Sequence, residues 1–217
     1  MIQILEDIYQ NIQISSVLGF KGGTAAYLFY ELNRYSLDLD FDLLKPEARE
    51  LVFQEVKKIT EKYAQIKERY LKKNTIFFLL SYGPEERNIK IEVSTRGTND
   101  QYHVLNYLGI SMLVMKKEDM FAHKLIALCQ RKSLANRDLF DLNYGFSHHW
   151  DINEKIIESW TQKSFREYLK DCIKRVEQVN NQQILHGLGE LVDEKQKLPI
   201  KENLKKDLLI FMKAWSQ

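Results

Sequence analysis

The chain has 217 residues, of which 44 % are hydrophobic and 12 % are aromatic, so its composition is that of a folded globular protein and not of a disordered one. Its 32 Lys and Arg residues nearly balance 30 Asp and Glu residues, and the net charge of +2 gives no overall nucleic-acid-binding signature. Apolar runs such as Thr75–Leu80 fall far short of the roughly 18 residues of a membrane span, and the acidic N-terminus lacks a signal-peptide pattern, so we expect a cytoplasmic protein without membrane contact.

The first half of the chain reads as strands and helices in alternation. Two glycines precede the first predicted helix, and Pro46 suits the first turn of the second. Turns are predicted at Lys73-Asn74 and Gly83-Pro84. The predicted elements are strands at 17–21, 37–44, 65–71, 75–82 and 88–95, and helices at 24–33 and from Pro46 to about Tyr63.

From Glu118 onward the apolar residues recur at helical spacing, which predicts helices near 118–132, 136–146, 151–160, 163–180 and 201–215. The sequence therefore predicts an α+β fold in two parts. Residues 1–115 form a mixed β-sheet with helices, and residues 116–217 form a C-terminal helical bundle.

Three aspartates at every second position are the first candidate functional feature. In a strand, Leu37, Leu39, Phe41 and Leu43 point to one face and Asp38, Asp40 and Asp42 to the other. Two carboxylates at i and i+2 can converge on one hard divalent cation, for which oxygen is the preferred ligand. We predict a Mg²⁺ (or Mn²⁺) site at Asp38 and Asp40.

The glycine pair before the helix is the second candidate feature. Backbone N–H groups of Gly22 and Gly23, together with the positive end of the helix, suit a phosphate, and the Thr24 hydroxyl is a further donor. The Walker pattern GxxxxGK[ST] and the Rossmann pattern GxGxxG are both absent. A phosphate-binding turn beside a metal-binding strand indicates phosphoryl or nucleotidyl transfer.

A third acid completes the predicted metal site. In the strand at 88–95, Lys90 and Glu92 share a face, and Glu92 joins the aspartates if this strand neighbours theirs. The alternative is that both side chains lie on an exposed polar face.

The two cysteines, Cys129 and Cys172, are far apart in sequence and have no second cysteine nearby, which indicates neither a disulfide framework nor a zinc site. We expect two quiet core thiols.

The segments KGGTAAYLFYELNRYSLDLDFDLL and EDMFAHKLIALCQRKSLANRDLFDL resemble the AbiEii/AbiGii toxin family of bacterial nucleotidyltransferases, over roughly residues 15–145. The resemblance implies a polymerase-β-like nucleotidyltransferase core, a metal-dependent transfer reaction and a role as the toxin of a toxin–antitoxin or abortive-infection pair.

The resemblance also implies roles for individual residues. Its first motif falls on Gly22, Gly23, Thr24, Asp38 and Asp40, and its second falls on Lys90. Its third and fourth motifs fall on Asp119, Lys124 and Arg131, and on Asp138 and Asp141. The implied catalytic residues are Asp38, Asp40, Lys124 and Asp138, and the implied nucleotide-binding residues are Gly22, Gly23, Thr24, Lys90 and Arg131. Together with Glu92 from the strand pattern, the predicted metal ligands are Asp38, Asp40 and Glu92.

The helical pattern is consistent with an anion site at Lys124, because this side chain lies within an apolar stripe with Arg131 on the same side of the helix. Snorkelling of both cations to solvent is the alternative. Asp138 is either a base for the acceptor hydroxyl or an ion-pair partner, and Asp141 is equally consistent with a purely structural ion pair.

These observations predict an enzyme that transfers NMP from an NTP to an acceptor hydroxyl, on tRNA or another RNA, with a cognate antitoxin as partner. A basic stretch in the sequence would guide RNA phosphates; its members are Lys57, Lys58, Lys62, Lys67, Arg69, Lys72 and Lys73. The alternatives are transfer to a protein or small molecule, and a non-catalytic module that binds a partner protein or RNA.

Overall fold

The computed structural model describes residues 1–83, 86–97 and 99–216. Within these residues the chain has the predicted α+β fold, with a mixed seven-stranded sheet and eight α-helices where the sequence predicted five strands and seven helices. The predicted turn residue Pro84 lies outside the described part of the chain. No helix in the described part is long and apolar enough to cross a membrane.

Contacts divide the chain into two compact units. Unit 1 comprises residues 1–31 and 36–116, and unit 2 comprises residues 32–35 and 117–217. The elements of unit 1 are α1 (Ile2–Gln10), β1 (Leu18–Lys21), α2 (Gly22–Phe29), β2 (Asp38–Leu43), α3 (Arg49–Glu61), β3 (Gln65–Lys72), β4 (Thr75–Ser81), β5 (Ile89–Ser94), β6 (Tyr102–Tyr107) and β7 (Ile110–Met115). Unit 2 contains α4 (Lys117–Gln130), α5 (Asn136–Ser147), α6 (Glu154–Thr161), α7 (Phe165–Glu177) and α8 (Glu194–Trp215).

The strand order of the sheet is β3-β4-β5-β2-β1-β7-β6. The pairs β1–β7 and β2–β5 are parallel, and the other neighbouring pairs are antiparallel. Leu39 and Phe41 of β2 are fully buried, as are Ile91 and Val93 of β5, so one face of these strands forms the core. The aspartates of β2 lie on the opposite face, as the alternation of the sequence predicts.

Five elements differ from the sequence prediction at their ends or were missed. Helix α2 ends at Phe29 and not at Asn33, because residues 32–35 leave the helix and pack within unit 2. Helix α1 and the hairpin β6–β7 were not predicted. Helix α8 begins at Glu194, ahead of Pro199, because Asp193 and Gln196 form a capping box at its start.

Candidate active site

The turn between β1 and α2 brings backbone and carboxylate into direct contact. Gly22 has a φ of +82°, and a Cβ added there would lie 2.2 Å from Oδ2 of Asp40. Only glycine allows both this left-handed backbone conformation and this close approach. The residue that precedes α2 is Lys21, and its side chain does not cap the helix. The N–H groups in the first turn of α2 therefore have no hydrogen-bond acceptor from that side chain.

Strand pairing places the predicted site residues in register. Asp40 lies opposite Lys21 on the antiparallel neighbour β1. On the parallel neighbour β5, Asp38 is paired with Lys90 and Asp40 with Glu92. The strand adjacency on which the predicted role of Glu92 depended is therefore present. Glu92 and Lys90 are exposed and Asp38 and Asp40 are half-buried.

The first turn of α2 is tied to the start of β2 by Thr24. This side chain is fully buried, and its hydroxyl donates a hydrogen bond of 2.5 Å to the carbonyl oxygen of Asp38. The donor that the sequence analysis assigned to a phosphate is thus already used in holding Asp38 in place.

The third aspartate of β2, Asp42, is buried and hydrogen-bonded to other side chains of the fold. Asp42 is 2 % exposed, and its carboxylate accepts hydrogen bonds of 2.7 Å from Lys21 Nζ and from the Tyr102 hydroxyl. Both oxygens are satisfied by residues that the sequence analysis did not connect with Asp42. The Tyr102 contact depends on the missed strand β6, so no local pattern could have revealed it.

A row of paired residues extends from Asp40 across the exposed face of the sheet. Glu92 of β5 is paired with Phe77 of β4, and Phe77 with Tyr70 of β3. We call Asp40, Glu92, Phe77 and Tyr70 the Asp40 row. The rings of Phe77 and Tyr70 are stacked, with centroids 4.7 Å apart and planes inclined by 11°.

A cation and two acids surround the aromatic end of the row. Lys72 Nζ lies 4.1 Å from the centroid of the Tyr70 ring, a cation–π contact. Burial raises the pKa of the Tyr70 hydroxyl, and the charges of Glu92 and Glu68 add to the effect. The phenol therefore stays neutral at physiological pH.

Within the described residues, no group of three or more His, Cys, Asp or Glu side chains is arranged to hold a metal ion. Asp38 and Asp40 are thus two candidate oxygen ligands on one face, and Glu92 is their neighbour in the strand register. The three-carboxylate metal site stays a prediction.

Most members of the predicted basic stretch are engaged with other side chains. Lys57 and Arg69 contact Glu61, Lys58 contacts Glu55, and Lys62 contacts Asp7. Lys67 donates to Asn88. Four of the seven basic side chains therefore have an acidic partner, and Lys72 is the member that lies beside the aromatic pair.

Unit 2 contains a buried network of ion pairs around Asp141. Arg34 donates two hydrogen bonds to the Asp141 carboxylate, at 2.5 Å from Nε and 2.7 Å from Nη2. Lys124 Nζ lies 2.7 Å from the same carboxylate. Burial opposes the charge of Asp141, but Lys124 and Arg34 together outweigh it and lower the pKa of this carboxyl.

Asp138 lies beside this network. Its side chain is 1 % exposed and contacts Lys124 at 3.3 Å and Arg131 at 2.8 Å. Because the Asp138 carboxylate contacts both Lys124 and Arg131, it can fix the orientation of these two cationic side chains. The alternative role as a base requires access to a substrate hydroxyl.

Asp119, the remaining residue of the third motif, has a hydrogen-bond partner in unit 2. Asp119, in the first turn of α4, is buried and accepts a hydrogen bond of 2.6 Å from Asn153 Nδ2. The contact holds the start of α4 against the residue that precedes α6.

Sequence reasoning missed Arg34, which is 3 % exposed. It belongs to the four-residue segment 32–35, which leaves α2 and packs in unit 2, where the Tyr35 N–H also donates to the carbonyl oxygen of Leu191. The sequence predicted a continuous helix to Asn33, and no local signal indicates that this segment joins the helical unit.

Comparisons with known proteins give a fold and a family. No curated protein matches the chain. The structure is similar to that of a candidate nucleotidyltransferase from H. pylori, with a TM-score of 0.65 and 23 % identity over 98 % of this chain and 92 % of that one. It is also similar to JHP933 from Helicobacter pylori, with a TM-score of 0.58 and 22 % identity over 98 % of this chain and 89 % of that one.

At these identities the two structures establish a shared fold. The family model described as nucleotidyl transferase AbiEii toxin, type IV toxin–antitoxin system, matches residues 3–214, nearly the whole chain. The predicted resemblance and the assignment as a nucleotidyltransferase are thereby confirmed, and the family implies an antitoxin partner. The chain belongs to the AbiEii family of nucleotidyltransferase toxins.

Proposed function

We propose that the β1–α2 turn and β2 bind an NTP together with Mg²⁺ or Mn²⁺, and that the protein transfers NMP to a hydroxyl group of an RNA with release of pyrophosphate. The observation that carries the proposal is the contact between Gly22 and Asp40, which sets a candidate metal ligand directly against a candidate phosphate-binding turn.

The side chains present fit a hard divalent cation. Asp38 and Asp40 offer only oxygen donors, project from the same face of β2 and are half-buried. When bound, such an ion supplies neutralisation of phosphate charge and activation of the attacking hydroxyl. Glu92, in register with Asp40, is the proposed third ligand.

The triphosphate would be held by the turn and by one lysine. The N–H groups of Gly22 and Gly23 open helix α2, where the helix dipole favours negative charge. Lys90 is exposed and paired in register with Asp38, so its ammonium group is available to a phosphate at this edge of the site. Thr24 contributes by fixing Asp38 through its carbonyl oxygen.

The cations of unit 2 have a proposed role of their own. Lys124 and Arg131 both form ion pairs with Asp138, and Lys124 also forms one with Asp141. The two aspartates therefore fix the positions of two positive charges. We propose that Lys124 and Arg131 contact phosphate groups of a substrate. Asp138 then orients the two cations, since its side chain is shielded from solvent.

The aromatic end of the Asp40 row favours RNA as the acceptor. The half-buried rings of Tyr70 and Phe77 are aromatic groups of the kind on which bases stack, and Lys72 adds a positive charge beside them. By the usual strand spacing, Tyr70 lies three strands, or about 15 Å, from Asp40. A few nucleotides span that distance, so an RNA end at Asp40 would have its preceding bases near Phe77 and Tyr70.

The experiment that tests this proposal uses purified full-length protein, each [α-³²P]NTP in turn, Mg²⁺ and total bacterial RNA. We expect label in RNA, none with EDTA, and a loss of about 10²-fold or more in Asp38→Ala and Asp40→Ala, because each removes a metal ligand. Asp151→Ala removes an exposed aspartate outside the proposed site and serves as the matched control.

Three outcomes would overturn parts of the proposal. Full transfer by Asp38→Ala and Asp40→Ala refutes the metal site. Label that enters protein or a small molecule instead of RNA refutes the acceptor and keeps the transfer reaction. No label in any acceptor with any NTP favours a non-catalytic binding module.

A further inference from the structure

The fold brings together the two cysteines that the sequence separates. Cys129 lies on α4 and is half-buried, Cys172 lies on α7 and is fully buried, and their sulfur atoms are 3.2 Å apart. The sequence analysis expected no partner for either thiol. In the structure the two sulfurs lie within hydrogen-bonding distance of each other inside unit 2.

Contacts on both sides of the sulfurs fix the two helices at this level. The Tyr168 hydroxyl of α7 donates a hydrogen bond of 3.0 Å to the carbonyl oxygen of Ile126 on α4. Arg175 of α7 donates to the carbonyl oxygens of Arg131 and Lys132, just beyond the end of α4, at 3.1 Å each. These contacts hold α4 and α7 together on both sides of the two sulfurs.

The two thiols are chemically unequal. A hydrogen bond with Cys172 lowers the pKa of the Cys129 thiol and outweighs the opposing effect of burial. Burial raises the pKa of the Cys172 thiol. Charged groups near the pair are Asp171, Arg175 and Lys163, of which Lys163 and Asp171 pair with each other. The partly exposed sulfur is thus the more readily ionised one, as expected for a reactive cysteine.

We propose that Cys129 and Cys172 form an oxidation site at which a peroxide converts the two thiols into an intrachain disulfide. The Cys129 thiolate attacks one oxygen of hydrogen peroxide, the O–O bond breaks, and the departing hydroxide takes a proton to become water. The Cys172 sulfur then attacks the Cys129 sulfenic acid, an S–S bond forms, the S–O bond breaks and a second water leaves. Two thiols lose two protons and two electrons, and one peroxide becomes two waters.

The geometry demands little movement. A disulfide bond is about 2.0 Å long, so the sulfurs approach by roughly 1 Å from their present separation. The resulting link ties α7 to α4, the helix that carries Lys124. Oxidation at this site would therefore attach a covalent link to α4, the helix whose Lys124 belongs to the ion-pair network. This holds for any substrate of the protein.

The test measures thiol content of the full-length protein and not its activity. After treatment with hydrogen peroxide, denaturation and alkylation with iodoacetamide, we expect wild type to lose both free thiols. The intact mass should fall by about 2 Da without dimer formation, and dithiothreitol should restore it.

Two single variants separate the proposed roles. Cys172→Ser should stop at the Cys129 sulfenic acid, which dimedone traps. Cys129→Ser should retain its one thiol under the same treatment, because Cys172 is buried. Far-UV circular dichroism of both variants before oxidation checks that they are folded.

The proposal is overturned if folded wild type retains two alkylatable thiols at a peroxide concentration that oxidises a reference dithiol. Disulfides formed only between chains would also refute it. Loss of the Cys172 thiol in Cys129→Ser as fast as in wild type would show that Cys129 is not the residue that reacts first.

Discussion

Gly22 combines two demands at a single residue, a left-handed backbone and a carboxylate in the space of its missing Cβ. We predict that Gly22→Ala destabilises the fold by about 1–3 kcal/mol through backbone strain and also displaces the Asp40 side chain. Nucleotidyl transfer should fall with it. Urea unfolding and the labelled-NTP assay measure the two effects.

The chain contains a matched control for the backbone term. Gly109 has the same φ of +82°, but an added Cβ there would meet nothing within 4 Å. Gly109→Ala should therefore show strain alone and keep its activity. In an Asp40→Ala background, Gly22→Ala should cost less than in wild type, since the clashing carboxylate is gone. Equal effects at Gly22 and Gly109 on both stability and activity would contradict this account.

At the scale of elements, segment 32–35 is anchored in unit 2 by Arg34. We predict that Arg34→Ala destabilises the protein by about 3–5 kcal/mol, because Asp141 stays buried with one of its two cations removed. Arg34→Lys should recover only part of the loss, since a lysine cannot make the two-pronged contact of the guanidinium group. Urea unfolding gives both values.

An exposed ion pair of the same length provides the comparison. Lys163 Nζ lies 2.5 Å from Asp171, the distance of the Arg34–Asp141 contact, but its side chain is 50 % exposed and that of Asp171 is 37 % exposed. Lys163→Ala should leave the free energy of unfolding nearly unchanged, because solvent screens this exposed pair. A similar cost for Lys163→Ala and Arg34→Ala would mean that burial does not determine the strength of these pairs.

Local patterns predicted most of the elements but not the contacts between distant ones. Alternating apolar residues located the five strands β1 to β5, and the face of β2 that carries the aspartates, because side-chain direction in a strand has a period of two. The hairpin β6–β7 was missed because its turn has Leu108 at φ +51° where Asn or Gly is the usual signal. An Asn106 side chain that accepts from the Gly109 N–H supports this turn instead.

The candidate site likewise has a part that the sequence predicted and a part that only the fold reveals. The glycine turn and the aspartates lie within one short stretch, so their spacing was visible in the sequence. The partners of Asp42, Asp141 and Cys129 lie between 17 and 107 positions away, a separation at which no periodicity applies. Tertiary packing alone determines those contacts.

At the scale of the whole molecule, acid changes the balance between 30 carboxylates and 32 basic side chains. Protonation of the carboxylates leaves a large net positive charge that destabilises any compact state. In addition to this general effect, Asp141 makes its own contribution to the pH dependence of the free energy of unfolding. Its pKa is lower in the folded protein than in the unfolded chain, where a carboxyl of this type titrates near about 3.9.

The sign of the Asp141 contribution follows from that lowered pKa. Its stabilisation is fully present above about pH 5, where the unfolded chain also carries the charge, and is lost as the pH falls toward the folded-state pKa. We predict that the free energy of unfolding, measured in urea, falls between about pH 5 and pH 2, and that Asp141→Asn flattens part of this fall. Asp171→Asn should leave the slope nearly unchanged: contact with Lys163 lowers the pKa of Asp171 too, but in an exposed pair that solvent screens. If Asp141→Asn unfolds with the same pH dependence as wild type, then Lys124 and Arg34 do not stabilise the ionised form of Asp141 as the structure indicates.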